Sequence, residues 1–202
     1  MKQIKKYRDI NGNAGMTCAK NVVAHGAPGT GKSFIGQFIV LYALSQGLNI
    51  ISTALMGVRA NTIGGIHLHK IFFLPTDNKI NSPFVCAEKA IEDIKRHIEI
   101  YHALRTLDIL FIDEFGQVSA EQLCTIDIIL RKIRKSQTPF GGVLILCTMD
   151  HTQLQPIKQL LILTSSMMIT CFQAVRLEHS VRACSDIQFQ RLQAITRMNP
   201  YF

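Results

Sequence analysis

Between Val85 and Arg105 apolar residues recur at Ala87, Ala90, Ile91, Ile94, Ile98 and Tyr101. That three-to-four spacing predicts one amphipathic helix. Its polar face carries Glu88, Lys89, Glu92, Asp93, Lys95 and Arg96, and the Glu92–Arg96 pair has the supportive i,i+4 spacing. A second helix is predicted after Ser119, which with Gln122 forms a capping box ahead of the stripe Leu123, Ile126, Leu130 and Ile133.

Other segments lack that period. Asn21–His25, Asn49–Ala54, Leu107–Ile112 (apolar apart from Asp108), Val143–Cys147 and Ala174–Leu177 are short apolar runs. Runs of this kind predict buried strands. After the first, a Gly-rich turn leads into an apolar-rich helix from Lys32 to Gln46, closed by Gly47. Ile63–Leu74 starts at Gly64-Gly65 and turns helical, Pro75–Pro83 is a loop, and a last helix runs from Ser185, boxed with Gln188, to about Arg197. Strands alternating with helices predict an α/β domain whose mainly parallel sheet is covered on both faces. Residues 1–20 are polar and read as a lead-in, leaving 21–202 as one domain.

Composition narrows the class. The chain has 202 residues, 48% of them apolar, with 22 Lys and Arg against 14 Asp and Glu, a net charge of +8. That excludes a disordered chain and suits an anionic partner such as a nucleotide or nucleic acid. The longest uncharged stretch, Ser33–Val58, is interrupted by Ser45-Gln-Gly-Leu-Asn49, so no membrane span is expected. Basic residues open the chain with no apolar run behind them, so no secretory signal is expected either. The six cysteines form no Cys-x-x-Cys pair and read as buried free thiols of a reducing, intracellular compartment.

Candidate chemistry gathers at three strand ends. Gly26, Ala27, Pro28, Gly29, Thr30, Gly31, Lys32 and Ser33 spell a complete Gly-x-x-x-x-Gly-Lys-Ser loop between a predicted strand and helix. Such a loop curls its backbone N–H groups around phosphate oxygens, aided by the helix dipole. Lys32 would reach the β- and γ-phosphates, and the Ser33 hydroxyl would ligate Mg²⁺. The run Leu107–Glu114 ends in two carboxylates: Asp113 for the Mg²⁺ shell, and Glu114 to orient and deprotonate an attacking water. The third strand delivers Asp150 and Gln153 to the same sheet edge, where a neutral Gln can sense the γ-phosphate. His67 and His69 lack a nearby third ligand for zinc. The basic run Arg131-Lys132 with Arg134-Lys135 reads as a dipole-complementing helix end, with nucleic-acid contact as the alternative.

Five ordered blocks together resemble the Pif-type superfamily-one DNA helicases, relatives of RecD. They are the phosphate loop; Met56-Gly57-Val58-Arg59-Ala60 with Ile63-Gly64-Gly65-Ile66-His67-Leu68-His69; Ile112-Asp113-Glu114-Phe115-Gly116-Gln117-Val118; Phe140-Gly141-Gly142 with Asp150 and Gln153; and Leu177-Glu178-His179-Ser180-Val181-Arg182. The resemblance implies a RecA-like P-loop NTPase domain of three αβα layers, with ATP and Mg²⁺ as cofactors and single-stranded DNA as partner. It implies 5′-to-3′ DNA unwinding in repair and recombination, and a nuclear or mitochondrial location in a eukaryote.

The same resemblance makes Arg182 a γ-phosphate-contacting arginine and assigns Gly57, His69 and Lys70 to DNA contact. Gln3 is a candidate for the adenine-reading glutamine. Where the family carries Thr, Ala, Thr, Gly and Pro, this chain has Met56, Arg59, His67, Met149 and Gln155. Family members close two RecA-like domains around ATP, and this chain is expected to hold only the first, needing a second domain in trans. A nucleotide- and DNA-binding module with negligible hydrolysis, a P-loop nucleotide kinase and a ring-forming loader ATPase are the alternatives.

Overall fold

The computed structural model describes residues 21–75 and 82–150, and the backbone of 172–176. Strands β1 (Asn21–His25), β2 (Ile50–Ala54), β3 (Ile66–His67), β4 (Ile109–Asp113), β5 (Leu144–Met149) and β6 (Phe172–Arg176) form one sheet in the order β3-β2-β4-β5-β1-β6. Every pairing is parallel. The helices are α1 (Lys32–Ser45), α2 (Gly57–Thr62), α3 (Leu68–Phe72), α4 (Pro83–Arg96), α5 (Ile98–Thr106) and α6 (Ala120–Arg134).

Period-two alternation along the central strands builds the three layers. On β4, Ile109 and Phe111 join a cluster with Ala43 of α1, while Leu110 and Ile112 join the opposite cluster with α4 and α6. On β5, Leu144 and Leu146 face the first cluster, and Ile145 and Cys147 the second. A continuous apolar run is therefore required, because both faces of each strand are dry. The αβα sandwich is the expected fold class.

Helix α1 sits flush on β4 because Gly36 lacks a side chain: a Cβ there would lie 2.3 Å from the Phe111 ring. Along its outer side Phe34, Phe38, Leu41 and Leu44 are exposed, so this helix is apolar on two faces. In α6 the expected capping box forms, with Gln122 N–H donating to Ser119 Oγ at 3.1 Å and Ser119 N–H to Gln122 Oε1 at 2.9 Å. All four stripe residues of α6 are buried.

Two expectations are corrected. The single helix over 85–105 is two helices, parted at His97. There the His97 N–H bonds back to Ile94 O, and the imidazole Nδ1–H donates to Asp93 O at 2.9 Å in its place. The break shifts the phase, so Ala87, Ala90, Ile91 and Ile94 are buried while Ile98 is 67% exposed. Arg96 accordingly pairs with Asp93 at 3.2 Å, at i,i+3 spacing rather than with Glu92. The segment expected to turn helical after Gly64-Gly65 first adds β3 to the sheet edge, and α2 precedes it unforeseen. Gly65 sits where a Cβ would strike Ser52 O at 2.4 Å, which lets the chain return beside β2.

The lone polar residue of the third run is explained: Asp108 Oδ2 accepts from Asn49 N–H at 2.9 Å and ties the starts of β2 and β4 together. Three residues of the basic run are engaged within the fold. Arg131 pairs with Asp127 at 2.8 Å, Lys132 pairs with Glu88 and lies over the Phe84 ring, and Arg134 donates to the carbonyls of Arg105, Leu107 and Gly141. Of the described cysteines, Cys147 is buried, whereas Cys86 and Cys124 are only half-buried, and all three are free thiols. The predicted helix from Ser185 lies outside the described residues.

Helix propensity alone would make Gly36→Ala stabilising by about 1 kcal/mol. The Phe111 contact reverses the sign: overpacking of this kind costs about 1–3 kcal/mol. Denaturant unfolding of Gly36→Ala should show a lowered midpoint, and a raised midpoint would contradict the flush packing.

Candidate functional site

Three parallel strands, β1, β4 and β5, end side by side at one sheet edge. The chain leaves β1 through Gly26 and turns under Gly29 (φ 76°) and Gly31 (φ 78°) into α1. Those left-handed angles are the reason for the glycines at these two positions. Gly31 caps α1, with Ile35 N–H donating to its carbonyl at 3.0 Å. Lys32 turns across the loop, donating to Gly26 O and Ala27 O at 2.7 Å each, with Asp150 Oδ2 at 3.5 Å. Thr30 Oγ1 donates to Ala27 O at 2.9 Å and braces the turn.

Asp113 closes β4 with its side chain 1% exposed. Its Oδ1 accepts from Ser33 Oγ at 3.0 Å and from Thr148 Oγ1. Its Oδ2 accepts from Arg59 Nε at 3.0 Å. The same guanidinium donates from Nη2 to Ser33 Oγ at 2.7 Å and stands 3.3 Å from Glu114 Oε1. Glu114 adopts φ 56° and ψ 44°, a left-handed conformation uncommon outside glycine. Its N–H donates to Thr148 Oγ1 at 3.3 Å, and its Oε2 accepts from Gln117 Nε2 at 3.1 Å. Ser33, Arg59, Asp113, Glu114, Thr148 and Asp150 line a cleft of about 320 Å³ together with the phosphate-loop residues Pro28 and Gly29.

The structure thus brings Lys32, Ser33, Asp113, Glu114 and Asp150 together, as the three strand ends predicted. Gln153 and Arg182, like Gln3, lie outside the described residues. Gly57 and Lys70 are exposed. His69 is half-buried and fully engaged: its Nδ1–H donates to Leu74 O at 3.1 Å, and Nε2 faces Gln122 Nε2 at 3.4 Å, where the amide N–H can donate. His67 stacks on it at 5.4 Å.

Two site residues escaped the sequence reading of the cleft. Arg59 was legible only as a departure within the Gly57 block, and the structure turns it into the phosphate-loop cleft instead. Its signal lies in register: Ala54 of β2 pairs with Asp113, so the first turn of α2 rises directly beside that carboxylate. Thr148 is a hydroxyl in an otherwise apolar strand, two residues before Asp150.

The donor set fits a hard divalent cation. Ser33 Oγ and Asp113 Oδ1 lie within hydrogen-bond distance across 80 residues of sequence, one hydroxyl and one carboxylate beside a phosphate loop. A glycine-rich loop with an invading lysine, set against strand-end carboxylates on a parallel αβα sheet, defines a P-loop NTPase of RecA-like fold.

Within that class the chain belongs to the PIF1-like helicase family, whose model matches residues 1–196. It is 36% identical over 139 residues to the ATP-dependent DNA helicase RRM3 of Saccharomyces cerevisiae, spanning 68% of this chain and 18% of that protein. To the ATP-dependent DNA helicase PIF1 of Danio rerio it is 36% identical over 138 residues, 68% of this chain and 20% of that protein. The chain therefore spans about a fifth of the length of these relatives. The Pif1 helicase of Candida albicans superposes with a TM-score of 0.69 at 25% identity, covering 88% of this chain and 39% of that one. A Bacteroides Pif1 helicase, solved in complex with ADP-AlF3 and single-stranded DNA, shares the fold with a TM-score of 0.62 at 24% identity, covering 89% of this chain and 42% of that one.

Burial holds the His69 imidazole below its ordinary pKa, and the nearby His67 lowers it further, against the raising effect of the Leu74 carbonyl. Above the unfolded value of about 6.5 both folded and unfolded His69 are neutral. As pH falls below it, the unfolded chain takes the proton first, so stability is lost. Melting temperature followed from neutral pH down to about pH 5 should fall less steeply in His69→Gln than in the wild type. Equal slopes would contradict the buried neutral ring.

Proposed function

We propose that the chain is the ATP-hydrolysing RecA-like domain of a Pif-type DNA helicase, coupling hydrolysis to movement on single-stranded DNA and to duplex unwinding. The observation that carries this reading is the convergence of Lys32, Ser33, Asp113, Glu114 and Asp150 on one cleft from three separate strand ends. Family membership supports the same assignment.

In this reading the N–H groups of Gly29–Ser33 bind the β- and γ-phosphate oxygens, and Lys32 exchanges its loop carbonyls for those phosphates. Ser33 and Asp113 would hold Mg²⁺, which when bound supplies positive charge against the phosphate oxygens. Glu114 takes the proton of the attacking water at its carboxylate, which Gln117 holds in orientation. The left-handed backbone at Glu114 aims that carboxylate off the end of β4 rather than along it. Gln153 senses the γ-phosphate, and Arg182 neutralises charge developing there.

Gly57 and Lys70 are the exposed members of the block proposed to meet DNA, and His69 is the half-buried one. Contacts of this type are largely to phosphates and fall off with salt. A second RecA-like domain, in cis or in trans, belongs to the proposal, since a motor of this class works by closing one domain on another. Among the described residues no helix is long and apolar enough to cross a membrane. Action on DNA sets the place of work inside the cell: the nucleus or mitochondrion in a eukaryote, in repair and recombination. A second reading, a nucleotide- and DNA-binding module with negligible turnover of its own, draws on one observation: Arg59 bonds Ser33, Asp113 and Glu114 together.

ATP turnover of the 202-residue chain with and without oligo-dT tests the proposal. Turnover should rise with DNA. It should fall about 10²- to 10⁴-fold in Glu114→Gln, with nucleotide binding kept, and be lost with binding in Lys32→Ala. Unchanged turnover in either variant would overturn it. A flat baseline with intact nucleotide binding would favour the second reading.

A further inference from the structure

One cation of the cleft has no part in the hydrolysis reading. Arg59 leaves the first turn of α2 and reaches both residues that the fold offers a divalent ion, Ser33 at Oγ and Asp113 at Oδ2, the carboxylate oxygen that Ser33 leaves free. Nη2 lies 2.7 Å from Ser33 Oγ and Nε 3.0 Å from Asp113 Oδ2, and Nε is also 3.3 Å from Glu114 Oε1. These partners come from α1, the end of β4 and the residue after it, so the guanidinium bridges them as a divalent cation would. Asp113 is sealed from water at 1% side-chain exposure, whereas the Arg59 side chain is 36% exposed. The carboxylate is thus fixed, while the arginine has solvent to swing into. Thr148 and Ser33 orient Asp113 from its other oxygen, and Gln117 does the same for Glu114. The acceptor cluster therefore stands without Arg59 as a scaffold, and the arginine supplies mainly charge.

We propose that Arg59 is a tethered counter-cation that occupies the divalent-metal position of the nucleotide-free site and competes with Mg²⁺ for Ser33 and Asp113. A metal that takes Ser33 and Asp113 as ligands must displace the guanidinium, both because Arg59 already occupies the Ser33 Oγ lone pair and because like charges repel at this distance. Metal entry is therefore coupled to the swing of Arg59 toward solvent. The apparent Mg²⁺ requirement is raised by the fraction of time the arginine is docked. The displacement makes Arg59 a specificity determinant for the loaded state: nucleotide that arrives with its metal must first break three charge-assisted contacts. This inference rests on the cleft being a metal–nucleotide site.

The test follows fluorescent N-methylanthraniloyl-ADP binding to the full chain as Mg²⁺ is titrated, in wild type, Arg59→Ala and Arg59→Lys. The Mg²⁺ midpoint should fall roughly fivefold in Arg59→Ala and stay near the wild-type value in Arg59→Lys, which keeps the charge. A midpoint unchanged or raised in Arg59→Ala overturns the proposal. If neither wild type nor Arg59→Ala binds the nucleotide, the nucleotide reading fails, and the competition is then decided by melting without nucleotide. Millimolar Mg²⁺ should raise the melting temperature of Arg59→Ala more than that of the wild type. Equal shifts overturn the tethered cation.

Discussion

The structure turns on a buried carboxylate. Asp113 ends β4, which pairs with β2 and β5 at the centre of the sheet, and water barely reaches it. An ionised carboxylate in that position is tolerated only where partners replace its hydration. Three do so, each from a different part of the chain: Ser33 from the phosphate loop, Thr148 from β5 and Arg59 from α2. The carboxylate therefore draws those elements to one point. The phosphate loop faces the acidic strand end because Ser33 is bonded to it. Losing Ser33 or Thr148 would leave the buried Oδ1 under-compensated, which is far costlier than losing an exposed pair.

Around that point the geometry separates into rigid and movable parts. The dry sheet, the capping box of α6 and the flush Gly36–Phe111 contact fix where the strands end. Lys32 and Arg59 are long cations whose present partners are loop carbonyls and carboxylates. Both can exchange those partners without disturbing the sheet. Glu114 lies between these regimes: its backbone is held in a sparsely populated conformation, and its carboxylate is steadied by Gln117. Strain of this kind persists only where surrounding structure fixes it, and it concentrates where a side chain must be aimed.

Much of this was legible in the sequence because the signals were chemical and local. Five strands fall within two residues of their predicted bounds, and β4 and β5 show why: a fully buried parallel strand needs an unbroken apolar run. The phosphate loop and the Asp113-Glu114 pair were readable because backbone curl and strand-end acids require those residue types. The break at His97 was not, since a helical stripe says nothing about a histidine that takes over a backbone bond. Helix α2 was missed because Gly57–Thr62 is short and buries only Ala60, too little to leave a period. Arg59 sits on that unread helix, which is why it registered as a departure near the DNA-contact block and not as a cleft residue. Its place depends on strand register, which no single segment encodes.

The central claim is that phosphates bind the loop opposite the carboxylates of β4. Backbone amide NMR of the labelled chain, titrated with a non-hydrolysable ATP analogue and Mg²⁺, tests it most directly. The account predicts large shifts confined to the amides of Gly29 to Ser33 and Glu114, with the Arg59 Nε–H resonance moving in step. Saturation of the analogue with those resonances unmoved, or with shifts centred on another surface, would contradict it.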